Sequence, residues 1–151
     1  MVRLFLVALL LLLPVVARAA CTPLVGGAEG IAAINQKRSG TGVTALSYSA
    51  NLSAQAQKFA CDMIDQGYFA HQSPDGQTFK ARLEAAGFSG GCGAENIAST
   101  SGGGVGQAIS QWLGSAGHKR NMLERRYAVG GLAGAQGNGR TVWVLILGQC
   151  K

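Results

Sequence analysis

A chain of 151 residues, 48% hydrophobic and 13% charged, has the size of a single domain with one core, which leaves no room for a second domain. Its formal net charge of +6 comes from 13 basic and 7 acidic residues, and without interleaved aromatic and basic residues it does not point to nucleic acid. No apolar run reaches the roughly 20 residues that a spanning helix needs.

Residues 1–20 have the parts of a secretory signal peptide: Arg3 as the positive region, an apolar run over 4–16, and the small-x-small box Ala17-Arg18-Ala19. The domain is therefore expected over 21–151 in a secreted protein, extracellular or periplasmic. Cys21 follows the signal directly, as in a lipid-anchored chain. Arg18, three residues before it, stands where lipoprotein processing wants an aliphatic residue and argues against that anchor. Without Arg3 and Arg18, 11 basic residues face 7 acidic ones, a net charge of +4. The pairs Lys37-Arg38, Lys119-Arg120 and Arg125-Arg126 read as solvated helix faces. Four cysteines in a short secreted chain predict two disulfides, and sequence alone leaves three connectivities open. We expect Cys21 with Cys150, tying the ends, and Cys61 with Cys92.

The first helix is predicted over 28–38, stopped by Ser39-Gly40-Thr41-Gly42. After a link over 43–46, Asn51 caps a second helix in which Leu52, Ala56, Phe59, Ala60 and Met63 recur at helical spacing, and Gly67 ends it. Tyr68-Phe69-Ala70 leads to His71 and the turn Gln72-Ser73-Pro74-Asp75-Gly76. A helix over 78–86 carries Phe79 and Leu83 on one face, and a glycine-rich loop then leads into a strand holding Glu95. Residues 99–104 form a Ser/Gly loop, 105–113 a helix, and Ser115 is expected to cap a short helix with His118 in its first turn. There the helix dipole disfavours the imidazolium. Residues 127–133 and 141–147 form an antiparallel hairpin across Gly137-Asn138-Gly139. The sum is an α+β domain whose antiparallel sheet is covered by helices.

Ionisable chemistry gathers at one place. The two histidines of the chain flank Glu95, His71 lying 24 residues before it and His118 lying 23 after, each in a turn-rich segment. Two neutral imidazoles and a carboxylate suit an open zinc site and also acid–base work. Neither Gly-x-Ser-x-Gly nor His-Glu-x-x-His is present, so a serine-hydrolase elbow and a zincin helix are both set aside. Asn96 is expected to bond backbone, Trp112 to sit in the core, and Arg82 to pair with Asp75 or Glu84 on the surface. Tyr68, Phe69 and Trp143 are core residues or cleft lining.

His71-Gln72-Ser73-Pro74-Asp75-Gly76, Arg82, Gly87, Glu95-Asn96-Ile97-Ala98, Trp112 and Ser115-x-Gly-His118-x-x-Asn121-x-Leu123, in that order, resemble the bacterial branch of the CAP superfamily. These are the SCP domains shared by cysteine-rich secretory proteins, venom antigens and pathogenesis-related proteins. The resemblance covers roughly residues 31–148. It implies a three-layer α-β-α sandwich around an antiparallel sheet, with an open cleft holding His71, Glu95 and His118. Animal and plant members usually add a glutamate after the tryptophan. Here Trp112-Leu113-Gly114-Ser115 has none, which weakens any mechanism that needs two carboxylates. The expected function is a secreted, monomeric protein that binds a lipid, peptide or cell-envelope ligand in the cleft, with zinc or another divalent cation on His71, Glu95 and His118. The alternative is a metal-dependent hydrolase acting on peptide or envelope polymer.

Overall fold

A computed structural model describes residues 21–90 and 92–150, the last without its side chain. The segment read as a signal peptide lies outside the described residues. The sheet is built on a hairpin, β4 (Tyr127–Gly137) and β5 (Arg140–Cys150), joined by Asn138 and Gly139 at φ 50° and 75°. Two consecutive left-handed residues make the tight turn whose twist matches that of the paired strands, and Asn-Gly is the dipeptide best able to adopt it. On the far side of β5 lies β3 (Gly93–Thr100), antiparallel to it, and β1 (Thr22–Leu24) lines the outer side of β4, giving the order β1-β4-β5-β3. A two-residue strand, β2 (Ser47–Tyr48), pairs in parallel with β4 beside Val129 and Gly130. Strands this short carry no alternating pattern, and the sequence reading leaves both β1 and β2 unseen.

Alternation along β5 explains the three layers. Val142, Val144 and Ile146 enter one core with α2 (Ala50–Gln66) and α3 (Phe79–Ala85), while Trp143, Leu145 and Leu147 enter a second. That second core is completed by α1 (Gly27–Ser39), α4 (Val105–Gly114) and α5 (Ala116–Leu123). The expected α-β-α sandwich is the observed fold. No helix among the described residues is long and apolar enough to cross a membrane.

Local stops and caps follow the sequence with two differences. Gly67 ends α2 in the left-handed conformation at φ 74°, as its type predicts. The cap of α2 is Ser49, whose hydroxyl accepts from the Leu52 amide at 3.3 Å, and Asn51 is already helical. Ser115 occupies the cap position of α5 without a side-chain cap bond.

Arg38 overturns the reading of Lys37-Arg38 as a solvated pair. It is fully buried, with Nε donating to the Thr44 carbonyl (2.7 Å), Nη1 to those of Met122 (2.8 Å) and Glu124 (3.1 Å), and Nη2 to that of Tyr127 (3.0 Å). One guanidinium thus ties the end of α1 to the end of α5 and the start of β4. Its planar fork of donors suits this better than a lysine would.

The expected disulfides are also corrected. Cys21 is bonded to Cys61, with Cα atoms 5.2 Å apart, and Cys92 is disulfide-bonded as well. Strand register gives the reason. Thr22 pairs with Gln136 while Tyr127 pairs with Cys150, so the backbones of Cys21 and Cys150 sit at opposite ends of β4. At about 3.3 Å per residue that is ~30 Å, far beyond the ~7 Å over which two Cα atoms can be bridged. Cys92 precedes β3, whose Gly93 pairs with Gly148, so it too lies at the end away from Cys21 and Cys61.

Candidate functional site

Consecutive residues of a strand point to opposite faces, and β3 is an edge strand, with no neighbour beyond it in the sheet among the described residues. Glu95 and Asn96 therefore reach into different layers from one open edge. Each holds one of the two histidines.

On the α3 face, Glu95 is buried with Arg82, their side chains only 2% and 1% exposed. Arg82 donates from Nε to Oε2 (2.9 Å) and from Nη2 to Oε1 (2.8 Å), a bidentate ion pair. Its Nη2 also donates to the His71 carbonyl at 2.6 Å, and its guanidinium lies 3.4 Å from the centre of the Phe59 ring. The His71 ring approaches Glu95 Oε1 through Nδ1 at 2.9 Å. A carboxylate only accepts, so Nδ1 carries the proton and neutral His71 presents Nε2 outward. The His71 side chain is 54% exposed, so that nitrogen belongs to the open side of the site.

Below this triad, Tyr68 packs against Phe59 with ring centroids 6.3 Å apart, and its hydroxyl donates to Asp62. Burial, reinforced by that hydrogen bond, pushes the Tyr68 phenol up to about 12. The phenol therefore remains a fixed donor at any working pH.

On the other face, Asn96 is fully buried. Its Nδ2 donates to the His118 carbonyl at 3.0 Å, and its Oδ1 accepts from Asn121 Nδ2 at 2.9 Å. Both partners are on α5, so Asn96 fixes that helix, and the imidazole in its first turn, against the edge strand. Trp112 is buried in the core as expected, with its indole donating to the Ile97 carbonyl at 3.0 Å. Phe69 is 44% exposed and lines a cleft of about 500 Å³ with Ile97, Ala98, Trp112 and His118. Trp143 lies in the core and does not line this cleft.

His118 is held below the ordinary imidazole pKa, first by burial and then by the repulsion a protonated His71 would exert. The shift has the direction expected from the helix N-terminus, with burial as its main cause. Below about 6.5 the unfolded chain protonates this histidine before the folded one does. Its contribution to stability is therefore complete above pH ~6.5 and is lost as pH falls from there towards the folded value. Urea midpoints measured from pH 7.5 to 5 should decline over that window in the parent protein, and less so in His118→Gln. Parallel declines in both would show that His118 is not the cause.

Arg82, expected to pair on the surface, is instead the buried partner of Glu95. The sequence carries the signal: Phe79, Arg82, Leu83 and Ala86 fall at i, i+3, i+4 and i+7, which places the guanidinium on the core face of α3. That arrangement bears on metal binding too. Both Glu95 oxygens already accept from Arg82, and Oε1 from His71 as well. Among the described residues no group of three or more His, Cys, Asp or Glu is gathered to hold a metal ion.

Comparison with known proteins gives a consistent outcome. Residues 31–147 match the cysteine-rich secretory protein family, CAP. Similar solved structures include an outer surface protein from Borrelia burgdorferi, with TM-score 0.73 and 18% identity over 86% of this chain and 98% of that one. An extracellular protein containing a SCP domain from Bacillus anthracis gives TM-score 0.67 and 26% identity over 80% of this chain. A cysteine-rich secretory protein from Staphylococcus aureus gives 0.60 and 17% over 79%. The aligned region spans only 40% and 37% of the latter two chains. No curated protein sequence matches.

Proposed function

This chain belongs to the cysteine-rich secretory protein (CAP) family, and from that premise we propose that it is a secreted binding protein whose cleft takes the apolar part of a lipid, peptide or cell-envelope ligand. The observation that carries this reading is the cleft itself, where half-exposed Phe69 lines the wall together with Ile97, Ala98, Trp112 and His118. A mainly apolar groove with a few fixed polar groups is the usual form of a small-ligand site. Two of the similar proteins are described as an outer surface protein and an extracellular protein, which supports an extracytoplasmic setting. The test is titration of the purified protein with a fluorescent fatty acid and with an apolar peptide. Phe69→Ser should weaken binding of the true ligand class about three- to tenfold, because a ligand can bury only the exposed part, 44%, of a side chain whose full burial contributes ~1.5–3 kcal/mol. Equal affinity in the two proteins would contradict the cleft.

The proposal for the cluster is a divalent cation, zinc being the natural choice, on the two imidazoles. Glu95 then acts on the His71 ring from behind, fixing its tautomer, as carboxylates commonly do for metal-bound histidines. Two protein ligands imply modest affinity. The alternative, a metal-dependent hydrolase for peptide or envelope polymer, draws on the same carboxylate–imidazole pair, and a bound ion would supply Lewis-acid polarisation there. Glu95 is a poor general base for it, because its oxygens already accept three hydrogen bonds. Turnover of either substrate class by the zinc-loaded protein would favour the hydrolase over the binding protein.

A further inference from the structure

The Cys21 backbone nitrogen donates to Asp65 Oδ1 at 2.9 Å, and the Cys21 sulfur is bonded to Cys61. Cys61 and Asp65 are four residues apart on α2, hence on one face of the helix. Cys21 is thus gripped at two points, one covalent and one aimed at its nitrogen. We propose that this nitrogen is the α-amino group of the mature protein, and that Asp65 is the carboxylate built to receive it. The inference rests on the export reading and is independent of the cleft.

The chemistry is a hydrolysis. A leader peptidase with water as co-reactant breaks the Ala20–Cys21 C–N bond. The water oxygen goes to the Ala20 carbonyl carbon and a hydrogen to the Cys21 nitrogen, which takes a further proton from solvent because a free α-amine has a pKa of about 7.7–8.0. What faced Asp65 as a neutral amide becomes an ammonium, and the hydrogen bond becomes charge-assisted. The sulfur, committed to Cys61, is not available for the thioether that a lipid anchor would require.

Two readouts test this on the full 151-residue chain exported into an oxidising compartment. Intact-mass and N-terminal analysis should give a chain beginning at Cys21 without an added diacylglyceryl mass. At pH 7 an amine-selective acylating reagent should label the Cys21 α-amine about threefold or more faster in Asp65→Asn than in the parent, because the variant loses the partner that favours the unreactive ammonium. In a variant retaining Ala20 as its first residue the Asp65→Asn change should leave the labelling rate unaltered, since the amine has moved away from the carboxylate. A different N-terminus, a lipidated Cys21, or equal labelling rates in the parent and Asp65→Asn would overturn the proposal.

Discussion

Replacing Arg82 by Ala should destabilise the protein by about 3–5 kcal/mol, the range found when one member of a buried ion pair is removed. The magnitude comes from what remains. Glu95 would keep a carboxylate 2% exposed with its bidentate partner gone, and the His71 carbonyl would lose its 2.6 Å donor. Loss of the cation over the Phe59 ring adds to the cost. Arg82→Lys should also be destabilising, because an ammonium cannot span both carboxylate oxygens while reaching the His71 carbonyl. Replacing the pair together, Arg82→Met with Glu95→Leu, should recover much of the loss and so separate the stranded charge from lost packing. Urea denaturation of the three variants measures this. A cost below about 1 kcal/mol for Arg82→Ala would mean that the ion pair is not buried as described.

The second large effect is expected from the Cys21–Cys61 bond. The two residues are 40 apart in sequence, and closing a loop of that length restricts the unfolded chain by about 4 kcal/mol on a chain-entropy estimate. Replacing both cysteines by serine should lower stability towards that amount and release β1, which pairs with β4 over only three residues. Peptide mapping without reduction should recover the Cys21–Cys61 peptide pair, with Cys92 in a separate disulfide. Recovery of a Cys61–Cys92 pair instead would contradict the strand register. Loss of less than about 1 kcal/mol in the serine variant would contradict the stabilising role.

The helices and the final hairpin could be read from the chain because each depends on local chemistry. Gly67 stops α2, and Asn138-Gly139 turns the hairpin. What escaped depends on how distant segments meet. The disulfides follow from β1 pairing with the far end of β4, and nothing in the spacing of four cysteines encodes that register. Arg38 sits at the end of a helix where arginine is ordinary, and its burial appears only when α5 and β4 bring three carbonyls to it. Glu95 reads as a site residue and Asn96 as one that bonds backbone, and Asn96 does bond the His118 carbonyl. Their opposite directions follow from alternation along the strand, whereas the position of β3 at the edge of the sheet is something one sequence cannot reveal. Arg82 is a different case, since its position on the apolar stripe of α3 marked it as buried.

The central proposal is that the edge strand β3, which holds the His71 segment through Glu95 and α5 through Asn96, lets both imidazoles act on one ion. Zinc titration of the native protein at neutral pH, followed by long-range proton–nitrogen spectra of the histidine rings, tests it directly. The account predicts that the ring nitrogens of His71 and His118 shift together and saturate at one equivalent, and that His71→Ala removes the response of His118. Independent responses of the two rings, or none from either, would contradict it.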